Sequence, residues 1–205
     1  VLADEVLVLK QGLKVTSPLP FYFESLNYPA SGPENYLGSV MAGRTTLINE
    51  INWITATCPN TAIVLAGHSQ GAAVVLAALT NVNTPGYPEL TANARARIKA
   101  AAVFGDPNYR VGQAIAAPGA QTTASGLMGA RIPAYSAQLN NLRFWGWPMG
   151  GNAEGWVQKI RSWCYAKDTF CASGTASNSM AIHNSYGVNA MTGAKQWIEY
   201  MFNAF

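Results

Sequence analysis

An α/β fold, a parallel sheet covered by helices on both faces, is the architecture this sequence predicts, and three observations carry it. Strand-like and helix-like segments alternate along the chain. The runs "AIVLAG" (62–67) and "IKAAAVFGDP" (98–107) are short and continuously apolar, as strands buried on both faces require. Between and after them stand helical periodicities with apolar residues three and four apart. Strands joined through helices imply right-handed crossovers.

Taken in order, residues 3–14 show helical spacing through Val6, Leu7, Leu9 and Leu13. Residues 20–30, "PFYFESLNYPA", are aromatic and β-prone and end in a turn at Pro29. From Glu34 to about Cys58, the residues Tyr36, Leu37, Val40, Met41, Leu47, Ile48, Ile51 and Ile54 predict a long amphipathic helix. Residues 70–81 predict another, stopped by "NVNTPGYP". The strand at 98–107 closes at Gly105 and Pro107. Residues 108–158, rich in glycine and without a sustained period, read as an irregular excursion from the same domain. "VQKIRSWCYA" (157–166) returns to strand character, and "AMTGAKQWIEYMF" (190–202) makes a closing helix. One domain over residues 1–205 is expected, since 205 residues suffice for one sizeable core.

Composition narrows the function. Charged residues are 11% and hydrophobic ones 49%, which suits a compact, sparsely charged protein and excludes a disordered one. The net charge of +3 is weak, and the densest basic cluster, "RARIK" (95–99), runs into an apolar strand. It reads as a solvated helix end or strand entrance, so nucleic acid is not an expected partner. No apolar stretch approaches the ~18 residues of a membrane span. The N-terminal "VLADEVLVLKQGLK" has acids within its apolar pattern and no basic start, so it is not itself a signal peptide. Cys164 and Cys171 lie close enough to close a short loop, and Cys58 is left over.

The chemistry is concentrated at "GHSQG" (67–71), between a buried strand and a helix. G-x-S-x-G in that setting is the nucleophile elbow of α/β-hydrolases. The sharp turn strains the serine backbone, so small residues, Gly67 and Gly71, are expected on each side of Ser69. The turn lifts Ser69 Oγ out of the sheet and aims the Gln70 amide and a helix N-terminus at a developing oxyanion. The alternative is a plain tight turn. A serine nucleophile needs a base, and the chain has two histidines. His68 adjoins Ser69 and cannot readily reach back to Oγ, so its expected role is packing or a local hydrogen bond. His183, in "NSMAIHNSYG", is the base by elimination.

The acid should lie between them, where Glu89, Asp106, Glu154 and Asp168 stand. Glu89 falls in a polar loop and Glu154 in the glycine-rich excursion. Asp106, in "FGDP", is placed to cap a turn. Asp168 sits in "CYAKDTFC", within the loop the two cysteines would pin, and a carboxylate that must hold an imidazole in one tautomer needs such restraint.

Together, "CPNTAIVLAGHSQGAAV", "FGDP", "CYAKDTFC", "AIHNSYG" and "NYPAS" make the chain similar to the cutinase family, which is also carbohydrate esterase family 5, over roughly residues 3–116 and 157–205. The resemblance implies a three-layer α/β-hydrolase fold, secreted, free of metal and cofactor, without a full lid, acting on carboxylic esters. It implies the triad Ser69, Asp168 and His183, the Gln70 amide as an oxyanion donor, and a Cys164–Cys171 disulfide. Its implied partner is an ester substrate, whether polyester, lipid or acylated polysaccharide, and the expected state is a monomer.

Two departures from the family pattern set further expectations. Members begin with a strand and a loop whose Ser or Thr completes the oxyanion hole, and the cysteine matched by Cys58 bonds near that start. This chain opens at the following helix, so a partner for Cys58 and the second oxyanion donor are expected outside residues 1–205. The excursion at 108–158 is longer than in compact members. Its Phe144, Trp145, Trp147 and Met149 are expected to pack under the loop or to line an acyl-binding wall. Residues beside the base, Met180, Ala181 and Ile182, lean apolar, which favours acyl chains over acetylated sugars. The expected function is therefore a cutinase-type esterase. An acetylxylan esterase or an esterase of mycolate-type cell-wall lipids is the nearest alternative, and a non-catalytic surface-binding module on the same fold is the alternative of another class.

Overall fold

The computed structural model describes residues 21–79, 86–113, 115–121, 123–128, 146–148, 156–186 and 188–203. The helix expected at 3–14, the helix end at 80–81, Glu154, and the side chains of Phe144, Trp145, Trp147 and Met149 lie outside the described residues.

A short 3₁₀ turn at Pro33–Asn35 leads into helix α1 (Tyr36–Thr57). Pro33 opens that turn where a missing amide proton costs nothing. Strand β1 (Ile63–His68) passes directly into helix α2 (Gln70–Leu79). Helix α3 (Ala92–Arg97) is capped by Thr91, whose Oγ1 accepts from the Ala94 amide, and runs straight into strand β2 (Ile98–Phe104). Strands β3 (Gly146–Pro148) and β4 (Trp156–Gln158) form an antiparallel pair, β5 (Ile160–Trp163) follows, and helices α4 (Ser179–His183) and α5 (Val188–Asn203) close the order.

Among the described residues the main sheet is parallel in the order β1-β2-β5. Its two faces are covered by different helices. Ile63, Leu65, Ala101, Val103 and Ile160 pack with Ile48 and Ile51 of α1 and Ala72, Val75 and Leu76 of α2. On the opposite face Ala100, Ala102, Phe104 and Trp163 pack with Ala190, Ala194 and Ile198 of α5. That is the three-layer arrangement expected from the alternation of elements. Small alanines line the inner strand because helices press on both of its faces. Gly43 of α1 serves the same end: a Cβ there would come within 2.8 Å of Val74 on α2 and 2.9 Å of Tyr28.

Four expectations are corrected. Residues 21–30 form no strand; Phe21 stacks on Phe23 (5.7 Å between ring centroids) and meets Phe202 of α5 edge-on, so aromatic packing rather than sheet pairing engages this run. Within α1, Leu37 is exposed, since the buried face runs through Val40, Arg44, Ile48, Ile51 and Thr55. Burial on both faces holds for β2, whereas β1 alternates: Ile63 and Leu65 are buried against α1 and α2, while Val64 and Ala66 are only partly covered on the α5 face. The expected strand at 157–166 divides at Lys159, with β4 pairing to β3 and β5 to β2. The start of the excursion is irregular but anchored to the sheet edge: Ser162 donates its amide to Ile115 and accepts from Ala117, and the buried Tyr109 hydroxyl donates to the Gln121 carbonyl. No described helix is long and apolar enough to cross a membrane.

Candidate active site

The carboxyl ends of the three parallel strands are in register, with His68 beside Phe104 and Phe104 beside Trp163. Three loops therefore leave the sheet at one level, and they carry Ser69, Gly105 and the Cys164–Cys171 segment. This is where open α/β sheets bring reacting groups together. Ser69 has φ +55°, left-handed backbone for a residue with a side chain, and its amide is held by the Phe104 carbonyl at 2.9 Å. A Cβ at Gly67 would run into the Gly71 carbonyl, so glycine is required there. At Gly71 a Cβ would meet open space. The crowding expected on both sides of the serine is thus one-sided.

His183, at the end of α4, is buried against this turn. Ser69 Oγ lies 2.8 Å from its Nε2, and Nδ1 lies 2.9 Å from Asp168 Oδ2 and 3.1 Å from Oδ1. A carboxylate can only accept, so Nδ1 carries the proton and Nε2 presents its lone pair to the serine hydroxyl. Asp168 is fully buried, and its Oδ1 also accepts from the Phe170 and Cys171 amides at 2.7 and 2.8 Å. Burial pushes this carboxyl up, but hydrogen bonds from His183, Tyr186 and the Cys171 amide, with the His183 charge, outweigh it and hold it below the ordinary value. Cys164 and Cys171 are bonded, closing the loop around Asp168. Cys58 is exposed and joins neither.

Gly105 backs the imidazole. Its φ is +61°, and a Cβ there would stand 2.8 Å from His183 Cε1. His68 donates from Nε2 to the His183 carbonyl at 2.8 Å, with the two rings 4.7 Å apart, so it packs as expected but makes its hydrogen bond across 115 residues rather than locally. Gln70 opens α2, where first-turn amides lack intrahelical acceptors. Its side chain is clamped, Nε2 donating to the Ser31 carbonyl (2.8 Å) and Oε1 accepting from Ser39 Oγ (3.0 Å), while Ser39 accepts from the Ser31 amide. Asp106 caps a turn as expected, Oδ1 accepting from the Asn108 amide at 2.9 Å. Glu89 stands 3.9 Å from Arg95, outside the site.

This arrangement can deprotonate a hydroxyl, attack an electrophilic carbonyl carbon and stabilise the resulting imidazolium. The model of the family described as Cutinase matches residues 16–202. The chain belongs to the cutinase family. Among its relatives, Acetylxylan esterase 2 of Talaromyces purpureogenus is 30% identical over 80% of this chain and 65% of its own length. Cutinase 11 of Verticillium dahliae is 30% identical over 80% of this chain and 52% of its own. Of solved structures, the catalytic core domain of acetyl xylan esterase from Trichoderma reesei superposes with a TM-score of 0.70 at 27% identity, covering 97% of this chain and 90% of that one. The fold is accordingly that of the α/β-hydrolases. The chain spans about half to two thirds of the length of these two curated relatives.

For this family member, the residues that sequence reasoning missed are Tyr186, Gly105 in its backing role, and the Ser31–Ser39 clamp. "HNSYG" and "FGDP" contain the first two in plain view. Nothing in their spacing tells a tyrosine that hydrogen-bonds a carboxylate from one that only packs.

Proposed function

We propose that this chain is a secreted serine esterase that hydrolyses carboxylic esters of the kind found in cutin-like polyesters and acyl lipids. The observation that carries the reading is the continuous hydrogen-bond chain from Ser69 on its strained turn through His183 to buried Asp168. Ser69 Oγ attacks the ester carbonyl as His183 Nε2 takes its proton. The Gln70 amide steadies the oxyanion, and His183 then protonates the departing alcohol. Water, activated by the same imidazole, releases the acid and restores Ser69. Asp168 keeps Nδ1 protonated and stabilises the imidazolium throughout. All three groups come from one chain, so a monomer suffices. The disulfide and the low proportion of charge suit an oxidising, extracellular setting.

Met180, 48% exposed on α4 three residues before the base, and exposed Leu127 favour an acyl chain near the site. Leu127 donates its amide to the Phe170 carbonyl, and the Phe170 ring meets His183 at 4.5 Å. Deacetylation of xylan is the second reading, favoured by the similarity to acetylxylan esterases over nearly the whole chain. A hydrolysis panel of short- and long-chain acyl esters, cutin and acetylated xylan separates the two, together with labelling by a fluorophosphonate. Ser69→Ala and His183→Ala should each lose nearly all turnover, with labelling lost in Ser69→Ala. Retained hydrolysis in Ser69→Ala would overturn the mechanism. An unlabelled native chain would make this a non-catalytic binding module.

A further inference from the structure

Asp168 Oδ2 has two donors, and only one of them is the base. Besides His183 Nδ1 at 2.9 Å, it accepts from the Tyr186 hydroxyl at 2.7 Å, the shorter of the two bonds. Tyr186 is 1% exposed. Its ring stacks on Tyr165 at 4.6 Å and 8° and tilts against Phe104 at 5.9 Å, which holds the hydroxyl oxygen beside Asp168. The phenol oxygen accepts in turn from the Tyr165 amide at 3.4 Å and lies 3.2 Å from Cys171 Sγ. A tyrosine meant only to fill space would not require a hydroxyl aimed at a buried carboxylate. Burial first, and then Asp168, push this phenol above the usual range, so it keeps its proton and donates at every working pH.

We propose that Tyr186 is a positioning residue for the reaction, its hydroxyl fixing the plane of the Asp168 carboxylate and sharing the charge of the oxygen that faces His183. The inference rests on the triad reading above. Oδ1 is anchored by the Phe170 and Cys171 amides; without Tyr186, Oδ2 would be held by the imidazole alone. A carboxylate that shares its charge with a second donor stabilises the imidazolium less. The imidazolium then hands its proton to the leaving alcohol more readily.

The groups around His183 keep this effect separable. Asp168 faces it from the loop after β5, Ser69 from the elbow, His68 from β1 at 4.7 Å, and Phe170 edge-on at 4.5 Å. Gly105, after β2, presents only backbone, and Met180 and Ile182 of α4 carry no charge. Around Tyr186 the titratable neighbours are Asp168, Tyr165 and His68, the last at 5.8 Å. Replacing the tyrosine by phenylalanine therefore removes one donor and no charge.

The test is the pH dependence of p-nitrophenyl acetate hydrolysis by the full chain carrying Tyr186→Phe, and separately 3-fluorotyrosine at position 186, a stronger donor of nearly the same shape. Tyr186→Phe should lower kcat about three- to tenfold with KM within about twofold, and move the acidic limb of kcat/KM up by about half a pH unit. The fluorinated residue should move that limb down. A folded Tyr186→Phe with unchanged kcat and limb would overturn the proposal, as would a rise confined to KM or a shift of both variants in one direction. If Tyr186→Phe does not fold, the fluorinated protein decides alone. Failure of the triad reading shows separately, as turnover that survives Ser69→Ala.

Discussion

Asp106 and Asp168 stand at the ends of neighbouring strands' loops and are both fully buried, yet their carboxyls behave in opposite ways. Asp168 collects four donors, and they overcome its burial. Among the described residues Asp106 has Asn108 alone on Oδ1 and no partner on Oδ2, so burial pushes its carboxyl up to about 6 from 3.8. The native state holds this proton up to about pH 6, while an unfolded aspartate loses it near 4. Its contribution to stability is therefore full below about pH 4 and is lost as pH rises through 6. The loss is on the order of 3 kcal/mol at pH 8. Asp106→Asn keeps the acceptor for the Asn108 amide and removes the ionisation. Thermal melts at several pH values should show the variant gaining on the native protein by several degrees between pH 4 and 8. A constant difference across that range would contradict this account.

Elements matter here chiefly for where they end. Because β1, β2 and β5 terminate in register, the proposed nucleophile, the glycine behind the proposed base and the loop of the proposed acid emerge side by side. In the acid's loop Cys164, Cys171 and Ala172 form a small cluster with Tyr109, and the disulfide closes the loop. Cys164→Ser with Cys171→Ser should cost about 2–3 kcal/mol in the chain-entropy description of a short closed loop. Turnover should fall further than stability explains, since the Cys171 amide is one of the donors that orient Asp168. Denaturant melts and kcat on the same double variant check both parts. Undiminished kcat in a folded variant would show that the hydrogen bonds alone orient the acid.

For the molecule as a whole, two apolar clusters lie on opposite faces of one sheet and share its strands, so neither can dissolve without exposing the other's floor. We propose that residues 1–205 unfold as one domain. Scanning calorimetry should show a single transition whose calorimetric and van't Hoff enthalpies agree. Two resolved transitions, with the 108–158 excursion melting apart, would divide the chain into separate units.

What the sequence determined by itself was whatever depends on neighbours along the chain. The elbow is legible because a glycine two residues before a strained serine is a local steric demand. The proposed base, His183, is legible because the chain offers two histidines and one adjoins the elbow serine, and the proposed acid because a short cysteine loop encloses Asp168. The alternation of buried runs and helical periods marked the layers. Tertiary structure decided what depends on groups far apart. His183 meets Ser69 across 114 residues of separation, and Gln70 meets Ser31 across 39. In the "FYF" run Phe21 and Phe23 are β-prone yet pack toward α5 while Tyr22 is exposed, because aromatic surface is buried as well by a helix as by a strand. Whether a tyrosine donates to a carboxylate, or a glycine makes room for an imidazole, depends on which strand ends share a level, and only the folded sheet brings those ends together.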